Sequence, residues 1–344
     1  MSDMTSFERM EAALNFNECD RVPVFPIHHY SSAIVSGIKI GQYATNAETM
    51  ARCLIAAAKF MQYDGVCAGS DVALEGEACG SIVHQPDNAP AHLVRPVILG
   101  HEDLDRLKVP DPEKAGRMPV VVQATRILRK EIGSQIYIAS TVMGPMNVSG
   151  QLRGIENLMF DSIDYPEFFE RLLDFSTEVS LRYAKKLIDA GADQIQAGEA
   201  LCSPNFISPA LYRKFILPRQ QRWAKTLMEY GAKSTIIHVC GDITPILEDL
   251  GTTGATCIDV DSAVDMKLAK EKAGIAVRGN INPSHVLLQG TKEDVIEAAK
   301  KVLMEAKAGG GLILGTGCDV SPQTPLENIK ALTTAAIQYG AYDI

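Results

Sequence analysis

The stretch STIIHVCGDITPILEDLG (residues 234–251) shows the pattern that decides the fold. An apolar run of strand length ends in His238 and Cys240, and a glycine follows directly. Thr244 and Pro245 then have the residue types of a helix N-cap and of the first helical position. The stretch therefore predicts one β-strand followed by a short α-helix, with a polar segment between them.

The same alternation of apolar runs and amphipathic stretches recurs along the chain. Amphipathic stretches such as 166–191 and 292–310 end in glycine, which is a common helix stop. Eight strands that alternate with helices predict an α/β fold, a single (β/α)8 TIM barrel over residues 1–344. The predicted strands are VPVFPI (22–27), DGVCAG (64–69), IYIASTV (136–142), DQIQAG (193–198), STIIHVC (234–240), TCIDVD (256–261), IAVRGN (275–280) and GLILGT (311–316).

Two segments fall outside this repeat. An N-terminal extension precedes the first predicted strand. The segment 70–135, after the second strand, is too long for one helical crossover. It contains SIVHQPDNAPAHLV (81–94), which predicts a hairpin or other excursion at one barrel end, and then a helix at 118–132.

Composition and charge exclude several classes of protein. The 344 residues are 46% hydrophobic and 22% charged, which is too apolar for a disordered chain. The net charge of −9 comes without a basic patch, so nucleic acid is not an expected partner. No apolar run reaches the ~18 residues that span a membrane, and the start lacks a signal-peptide core. We therefore expect a soluble, cytoplasmic protein that binds neither nucleic acid nor membranes.

The eight cysteines are scattered, which disfavours a disulfide framework and leaves buried thiols, metal ligands or catalysis. His238 and Cys240 point to one side of their strand, and Cys318 follows the last strand, so all three lie at the rim where barrels carry their sites. Two thiolates and an imidazole suit Zn²⁺ with an open fourth position. Alternatively, His238 caps a backbone carbonyl and the cysteines are small buried hydrophobes. Cys67 and Cys202, near other strand ends, are either further ligands or buried thiols.

Several motifs make the chain resemble a known family. HVCGDITPIL (238–247), GNINP (279–283), GTGCDVSPQTPLENIKAL (315–332) and FERMEAALNFNECDRVPV (7–24) resemble the uroporphyrinogen decarboxylase superfamily. Within it, the chain is similar to the zinc-dependent methylcobamide:coenzyme M methyltransferase branch. The resemblance covers nearly the whole chain, and its most specific element is the His-x-Cys…Cys set.

This resemblance implies a function and a ligand set. It implies that His238, Cys240 and Cys318 bind Zn²⁺. It also implies a methyltransferase that moves a methyl group between a corrinoid (methylcobamide) and a small molecule, above all a thiol such as coenzyme M. The corrinoid is carried by a separate protein, which we expect to dock at the C-terminal barrel face. Related branches act on methoxyaromatics, methylamines or tetrahydrofolate, and these stay open as alternatives.

Acidic residues near strand ends are candidates for proton transfer. Glu199 ends the fourth strand, where the resemblance implies a shared rim role, and Glu77 lies beyond the second strand in EGEACG. Either can serve as the proton donor that a methyl ether or amine substrate requires. Glu77 is alternatively a weak fourth metal ligand or the cap of a turn. Asp259 and Asp261 either both face the rim or divide between the barrel interior and a turn.

The decarboxylases of the superfamily differ just after the first strand. They hold the carboxylates of their substrate with an arginine-bearing motif, whereas this chain has FPIHHYSSAIVSG (25–37) there and no arginine from that stretch until Arg52. A decarboxylase-type lyase and a non-catalytic tetrapyrrole-binding barrel are therefore the less favoured alternatives. His28 and His29, in the same stretch, either bind an anionic group or hydrogen-bond the loop.

Overall fold

A curved sheet of seven parallel strands forms the centre of the molecule, and the computed structural model describes residues 4–133 and 135–342. Each neighbouring pair is parallel, and the spatial order follows the chain order. The strands are β1 (Gly65–Ala68), β4 (Tyr137–Met143), β5 (Gln194–Gly198), β6 (Ser234–His238), β7 (Cys257–Val260), β8 (Ala276–Ile281) and β9 (Leu312–Thr316), and β2 (Ile82–His84) pairs with β3 (His92–Arg95) outside this sheet.

The first predicted strand lies between β9 and β1 and completes the ring. Val24 forms a parallel bridge with Leu314 of β9, and its carbonyl accepts a 2.8 Å hydrogen bond from the N–H of Asp64, which precedes β1. Pro23 and Pro26 have no N–H to donate, so this run makes an isolated bridge instead of a regular ladder. The predicted TIM-barrel fold is confirmed, and the other seven predicted strands are regular strands.

Helices surround the sheet and connect successive strands. None of the helices in the described ranges is long and apolar enough to cross a membrane. The α-helices are α1 (Ser6–Leu14), α2 (Ser31–Val35), α3 (Ile40–Thr45), α4 (Ala47–Met61), α5 (Leu74–Ala78), α6 (Met118–Ile132), α7 (Pro145–Arg153), α8 (Ile155–Asp164), α9 (Pro166–Asp189), α10 (Pro209–Leu211), α11 (Leu217–Tyr230), α12 (Leu247–Gly251), α13 (Met266–Ala273), α14 (Lys292–Ala306) and α15 (Leu326–Tyr339). Tighter or wider helical turns occur at His101–Arg106, Ala200–Cys202, Tyr212–Ile216, Thr244–Ile246 and Pro283–Leu288.

The N-terminal extension forms α1, which closes one end of the barrel. Met10 and Ala13 of α1 are buried in a cluster with interior side chains of the strands, including Ile236. The ring of Phe7 packs 5.5 Å from that of Tyr137, near the start of β4. Because α1 covers the N-terminal ends of the strands, the C-terminal ends form the accessible mouth.

The excursion after β1 includes the hairpin that the sequence predicts. Strands β2 and β3 pair antiparallel, with His84 opposite His92. Pro90 and Ala91, in the connecting loop, reach the cavity at the barrel mouth. The excursion therefore contributes a wall to the site as well as a connection between strands.

The predicted helix start after β6 is wrong in detail. α12 begins at Leu247, after the turn Thr244–Ile246, and the side chain of Thr244 caps no helix. Asp242 instead accepts a 2.9 Å hydrogen bond from the N–H of Thr244. The predicted helix 292–310 ends earlier, at Ala306. That residues 1–344 form a single domain stays a prediction.

Candidate metal centre and active-site cavity

His238, Cys240 and Cys318 converge at the barrel mouth. His238 is the last residue of β6, Cys240 lies two residues on, and Cys318 lies in the loop after β9. The Nε2 atom of His238 is 3.2 Å from Sγ of Cys240 and 3.7 Å from Sγ of Cys318, and the two Sγ atoms are 3.9 Å apart. Among the residues that the structure describes, this is the one group with three metal-ligand atoms in mutual reach.

These three distances fit the edges of a tetrahedral metal site. Zinc–sulfur bonds of about 2.3 Å and zinc–nitrogen bonds of about 2.0–2.1 Å place tetrahedral ligand atoms ~3.8 Å apart for two sulfurs and ~3.6 Å apart for sulfur and nitrogen. The 3.9, 3.7 and 3.2 Å separations lie close to these values. The donor set of two sulfurs and one imidazole nitrogen therefore suits Zn²⁺ in both chemistry and geometry.

The two thiols have different electrostatic environments. The hydrogen bond from Cys240 lowers the pKa of Cys318 to about 5, against the opposing effect of burial, and His238 lowers it further. The same shared hydrogen bond, together with burial, raises the pKa of Cys240. The environment therefore favours the thiolate form of Cys318 over that of Cys240, and the thiolate is the form that binds metals.

A chain of buried polar side chains supports His238 from behind. Nδ1 of His238 lies 3.2 Å from Oδ2 of Asp259 on β7, close enough for charge attraction although not aligned as a hydrogen bond. Arg278 on β8 donates to both oxygens of Asp259, at 2.6 and 2.8 Å, and to Gln196 at 2.8 Å. Burial alone would raise the pKa of Asp259, but Arg278 outweighs it and lowers that pKa. The carboxylate is thus charged and faces the ring of His238, the position in which a carboxylate often supports a metal-binding histidine.

A cavity of about 260 Å³ opens beside this candidate metal centre. Its walls come from the C-terminal ends of the strands, the loop after the first predicted strand, and the hairpin loop of the excursion. The lining residues are Ile27, His29, Tyr30, Ser70, Asp71, Val72, Pro90, Ala91, Thr141, Met143, Asn147, Gln196, Gly198, Ala200, His238, Cys240, Cys318 and Asp319.

Only one of the two neighbouring histidines faces this cavity. Nδ1 of His29 lies 3.6 Å from a carboxylate oxygen of Asp319, and Nε2 lies 3.2 Å from the hydroxyl of Thr141. Burial would lower the pKa of His29, but Asp319 outweighs it and raises that pKa to about 10. His28 packs edge-on against Tyr63, and burial lowers its pKa to about 4. His29 is thus a charged wall residue, whereas His28 is a neutral core residue.

On the far side of the cavity, Asp71 and Arg117 form a buried ion pair. The guanidinium of Arg117 contacts both oxygens of Asp71, at 2.5 and 3.1 Å, and its Nε donates to Glu77 at 2.8 Å. Asp71 also accepts hydrogen bonds from the hydroxyls of Tyr30, at 3.2 Å, and Ser70, at 2.8 Å. Glu77 is therefore held by Arg117, and the structure does not bring it into the metal-ligand group.

Glu199 lies behind the cavity wall, under the start of α7. Its carboxylate accepts a 3.1 Å hydrogen bond from the backbone N–H of Asn147 and a 3.3 Å bond from the side chain of Gln220. Burial raises the pKa of Glu199 to about 7. Proton transfer by Glu199 stays a prediction. In the structure, the Glu199 carboxylate contacts the N-terminus of α7.

Sequence reasoning missed Glu75, a buried carboxyl group in the same motif as Glu77. Glu75 accepts a 2.8 Å hydrogen bond from the backbone N–H of Met143, a cavity residue, and burial raises the pKa of Glu75 to about 7. Cys67 contacts the hydroxyl of Thr141 at 3.0 Å and is a buried thiol. Cys202 is also buried, and Gln220 contacts its sulfur at 3.7 Å.

The chain belongs to the uroporphyrinogen decarboxylase family, whose model matches residues 5–339. It is 32% identical to a methylcobamide:CoM methyltransferase, MtaA, of Methanosarcina barkeri, over 99% of this chain and 100% of that protein. It is 29% identical to MtbA of Methanosarcina acetivorans, another methylcobamide:CoM methyltransferase, over 98% and 99% of the two chains. Among solved structures, a methyltransferase from Methanosarcina mazei superposes with a TM-score of 0.89 at 30% identity, over 98% and 99% of the chains.

These similarities also give the class of enzyme. MtaA and MtbA match over nearly the full length of the chain and are methyltransferases, and the Methanosarcina mazei structure is one as well. Within the family, the protein is a methyltransferase.

Proposed function

We propose that the protein transfers a methyl group from a methylcobamide, carried on a partner protein, to a small thiol, with Zn²⁺ bound by His238, Cys240 and Cys318. The three ligand atoms at tetrahedral separations are the observation that carries this proposal. The names of the relatives support the methylcobamide and the thiol, because they specify coenzyme M as the acceptor. Coenzyme M is therefore the reference acceptor for any assay.

The residues around the centre would fix the position of the thiol. A Zn²⁺ ion held by His238, Cys240 and Cys318 would supply a Lewis acid that favours the thiolate form of an incoming thiol at neutral pH. Asp259 holds the ring of His238, and Arg278 holds Asp259 in turn. The apolar side chains of Ile27 and Met143 in the cavity wall exclude water from the sulfur. Methyl transfer from cobalt to sulfur depends mainly on this alignment.

The corrinoid partner would dock at the C-terminal barrel face. The metal centre and the cavity both lie at this end, whereas α1 covers the opposite end. A methyl group that is held on a separate protein can reach the thiol only through this mouth. Glu199 and Glu77 would matter as proton donors only if the methyl donor were an ether or an amine.

Metal content gives the first test. The purified protein should contain about one zinc per chain, and Cys318→Ser should lose most of it because one of three protein ligands is gone. Cys79→Ser is the matched control, since Cys79 is also a half-buried free cysteine and lies outside the ligand group. Equal zinc content in both variants would contradict the assignment.

Turnover gives the second test. The zinc-loaded protein is mixed with methylcobalamin and a thiol, and the loss of the methyl–cobalt bond is followed optically. We expect methylation of a thiol by wild type and Cys79→Ser and none by Cys318→Ser. Turnover of methylcobalamin with tetrahydrofolate but with no thiol would contradict the proposed acceptor class.

A further inference from the structure

The cavity offers no free positive charge to a substrate. Within the described part of the chain, no lysine or arginine lines it, and its ionisable residues away from the metal ligands are His29, Asp71 and Asp319. Two of these three groups are carboxylates. An acceptor that enters the cavity therefore meets no unpaired cation among these residues.

The nearest cations already have partners. His29 faces the carboxylate of Asp319 at 3.6 Å, so its positive charge is already paired. Arg117 directs its three nitrogens to Asp71, Glu77 and the side-chain oxygen of Gln85, the last at 3.1 Å. A guanidinium with this many acceptors has no free edge for the bidentate contact that binds a carboxylate or sulfonate. Neither cation is available to neutralise an anionic tail.

Two hydroxyl groups in the wall, those of Tyr30 and Ser70, are oriented to accept hydrogen bonds. The hydroxyls of Tyr30 and Ser70 both lie within hydrogen-bond distance of the same carboxylate oxygen of Asp71, which can only accept. Their protons are therefore directed at Asp71. Ser70 also accepts a 3.3 Å hydrogen bond from Arg117, and the remaining lone pairs of the two hydroxyls can receive a donor in the cavity. A sulfonate or carboxylate has no proton to donate, whereas a hydroxyl or amide does.

We propose that the acceptor is a small thiol with an uncharged, hydrogen-bond-donating tail, which Tyr30 and Ser70 receive. This inference rests on the proposed function and narrows its acceptor. It separates the chain from the relatives whose names specify coenzyme M, a thiol with a sulfonate tail. An anionic tail in this cavity would lose its hydration without gaining a cationic partner, whereas a hydroxyl tail would find acceptors in Tyr30 and Ser70.

A matched series of acceptors tests the inference. 2-Mercaptoethanol, ethanethiol and coenzyme M share the HS–CH₂–CH₂ stem and differ in a hydroxyl, a hydrogen or a sulfonate at its end. We expect kcat/KM to be highest for 2-mercaptoethanol and about tenfold or more lower for coenzyme M, a ratio equivalent to ~1.4 kcal/mol. Coenzyme M used as well as 2-mercaptoethanol, or better, would overturn the inference and leave the proposed methyl transfer standing. No turnover with any thiol would refute the proposed function itself.

Tyr30→Phe tests the hydroxyl contact separately. The variant keeps the ring and removes the oxygen that contacts Asp71, so 2-mercaptoethanol should lose its advantage over ethanethiol. An unchanged ratio of the two kcat/KM values in Tyr30→Phe would show that Tyr30 does not receive the tail.

A designed charge supplies the closing test. Val72 lines the cavity beside Asp71 and is 62% exposed, so a longer side chain at this position has room. Val72→Lys should raise the kcat/KM ratio of coenzyme M to 2-mercaptoethanol about tenfold relative to Val72→Gln, which adds similar length without charge. Calorimetric titration of both variants with each thiol gives the same comparison as binding. An equal preference in the two variants, by turnover and by binding, would mean that charge in this cavity does not select the acceptor.

Discussion

Asp259→Asn is the substitution that most fully tests the support behind the metal centre. The carboxylate is 0% exposed, and it is the ion-pair partner of Arg278, which is itself 1% exposed. The amide keeps the shape but removes the charge, so a buried guanidinium loses its counter-ion. Breaking a buried pair in this way costs about 3–5 kcal/mol. We expect a loss of this size in the free energy of unfolding, measured by urea denaturation.

The pH dependence of this loss has a defined sign. Because the pKa of Asp259 is lowered in the folded state, its contribution to stability is complete above the unfolded pKa of about 3.9 and is lost as pH falls through the folded pKa. The difference between wild type and Asp259→Asn should therefore be largest at neutral pH and shrink in acid. Adding Arg278→Met to Asp259→Asn should recover part of the stability, since no unpaired charge then remains.

A surface pair provides the control. Lys272 and Glu248 contact each other at 2.6 Å, and both side chains are exposed. Glu248→Gln makes the same chemical change as Asp259→Asn, and it should leave the unfolding curve nearly unchanged because solvent screens exposed pairs. Asp259→Asn should also weaken zinc binding about 10–100-fold in a chelator competition. If Asp259→Asn unfolds like Glu248→Gln and holds zinc like the wild type, the buried chain does not support the centre.

Three further changes probe the surrounding structure. A methyl group added at Gly144 would overlap the Glu199 carboxyl group. Gly144→Ala should therefore lower the free energy of unfolding in urea by about 1–3 kcal/mol. A variant as stable as the wild type would contradict this close contact between Gly144 and Glu199. Burial raises the pKa of Glu199 to about 7, so the free energy of unfolding of the wild type should fall as pH rises from about 4.5 to 7, by on the order of 3 kcal/mol. Glu199→Gln has no carboxyl group to titrate and should not show this fall. Parallel pH profiles of the two proteins would contradict this prediction. His29→Gln should raise the KM for thiols while His28→Gln leaves it unchanged, because only His29 lines the cavity; equal KM values would show that the cavity is not the thiol site.

The barrel was predictable because its strands are short apolar runs that alternate with amphipathic stretches. The exception follows from local chemistry, since Pro23 and Pro26 prevent a regular ladder at the first predicted strand. The predicted cap at Thr244 was wrong because this residue lies in a turn, where its own N–H donates to Asp242 and its side chain caps no helix. Patterns of residue type indicate that a helix or strand is present, but local hydrogen bonds decide at which residue it begins.

The clustering of His238, Cys240 and Cys318 was predictable in part, and the buried side chains around them were not. His238 and Cys240 lie together at a strand end, and the rule that barrel sites lie at C-terminal strand ends indicates a site there. The Asp71–Arg117 pair joins residues 46 positions apart, and no short motif marks such a contact. Arg278 lies within β8, and the sequence pattern of this strand does not indicate that the charged side chain points into the barrel. These residues depend on how distant segments meet, which requires the folded chain.

The coordination of the bound metal tests the central claim most directly. X-ray absorption spectroscopy of the zinc-loaded protein should give two sulfur ligands at about 2.3 Å and one imidazole nitrogen at about 2.0–2.1 Å, with one further light ligand or thiol. Cys318→Ser should show a single sulfur if any zinc remains. A wild-type spectrum with only nitrogen and oxygen ligands would contradict the assignment of His238, Cys240 and Cys318 as the metal site.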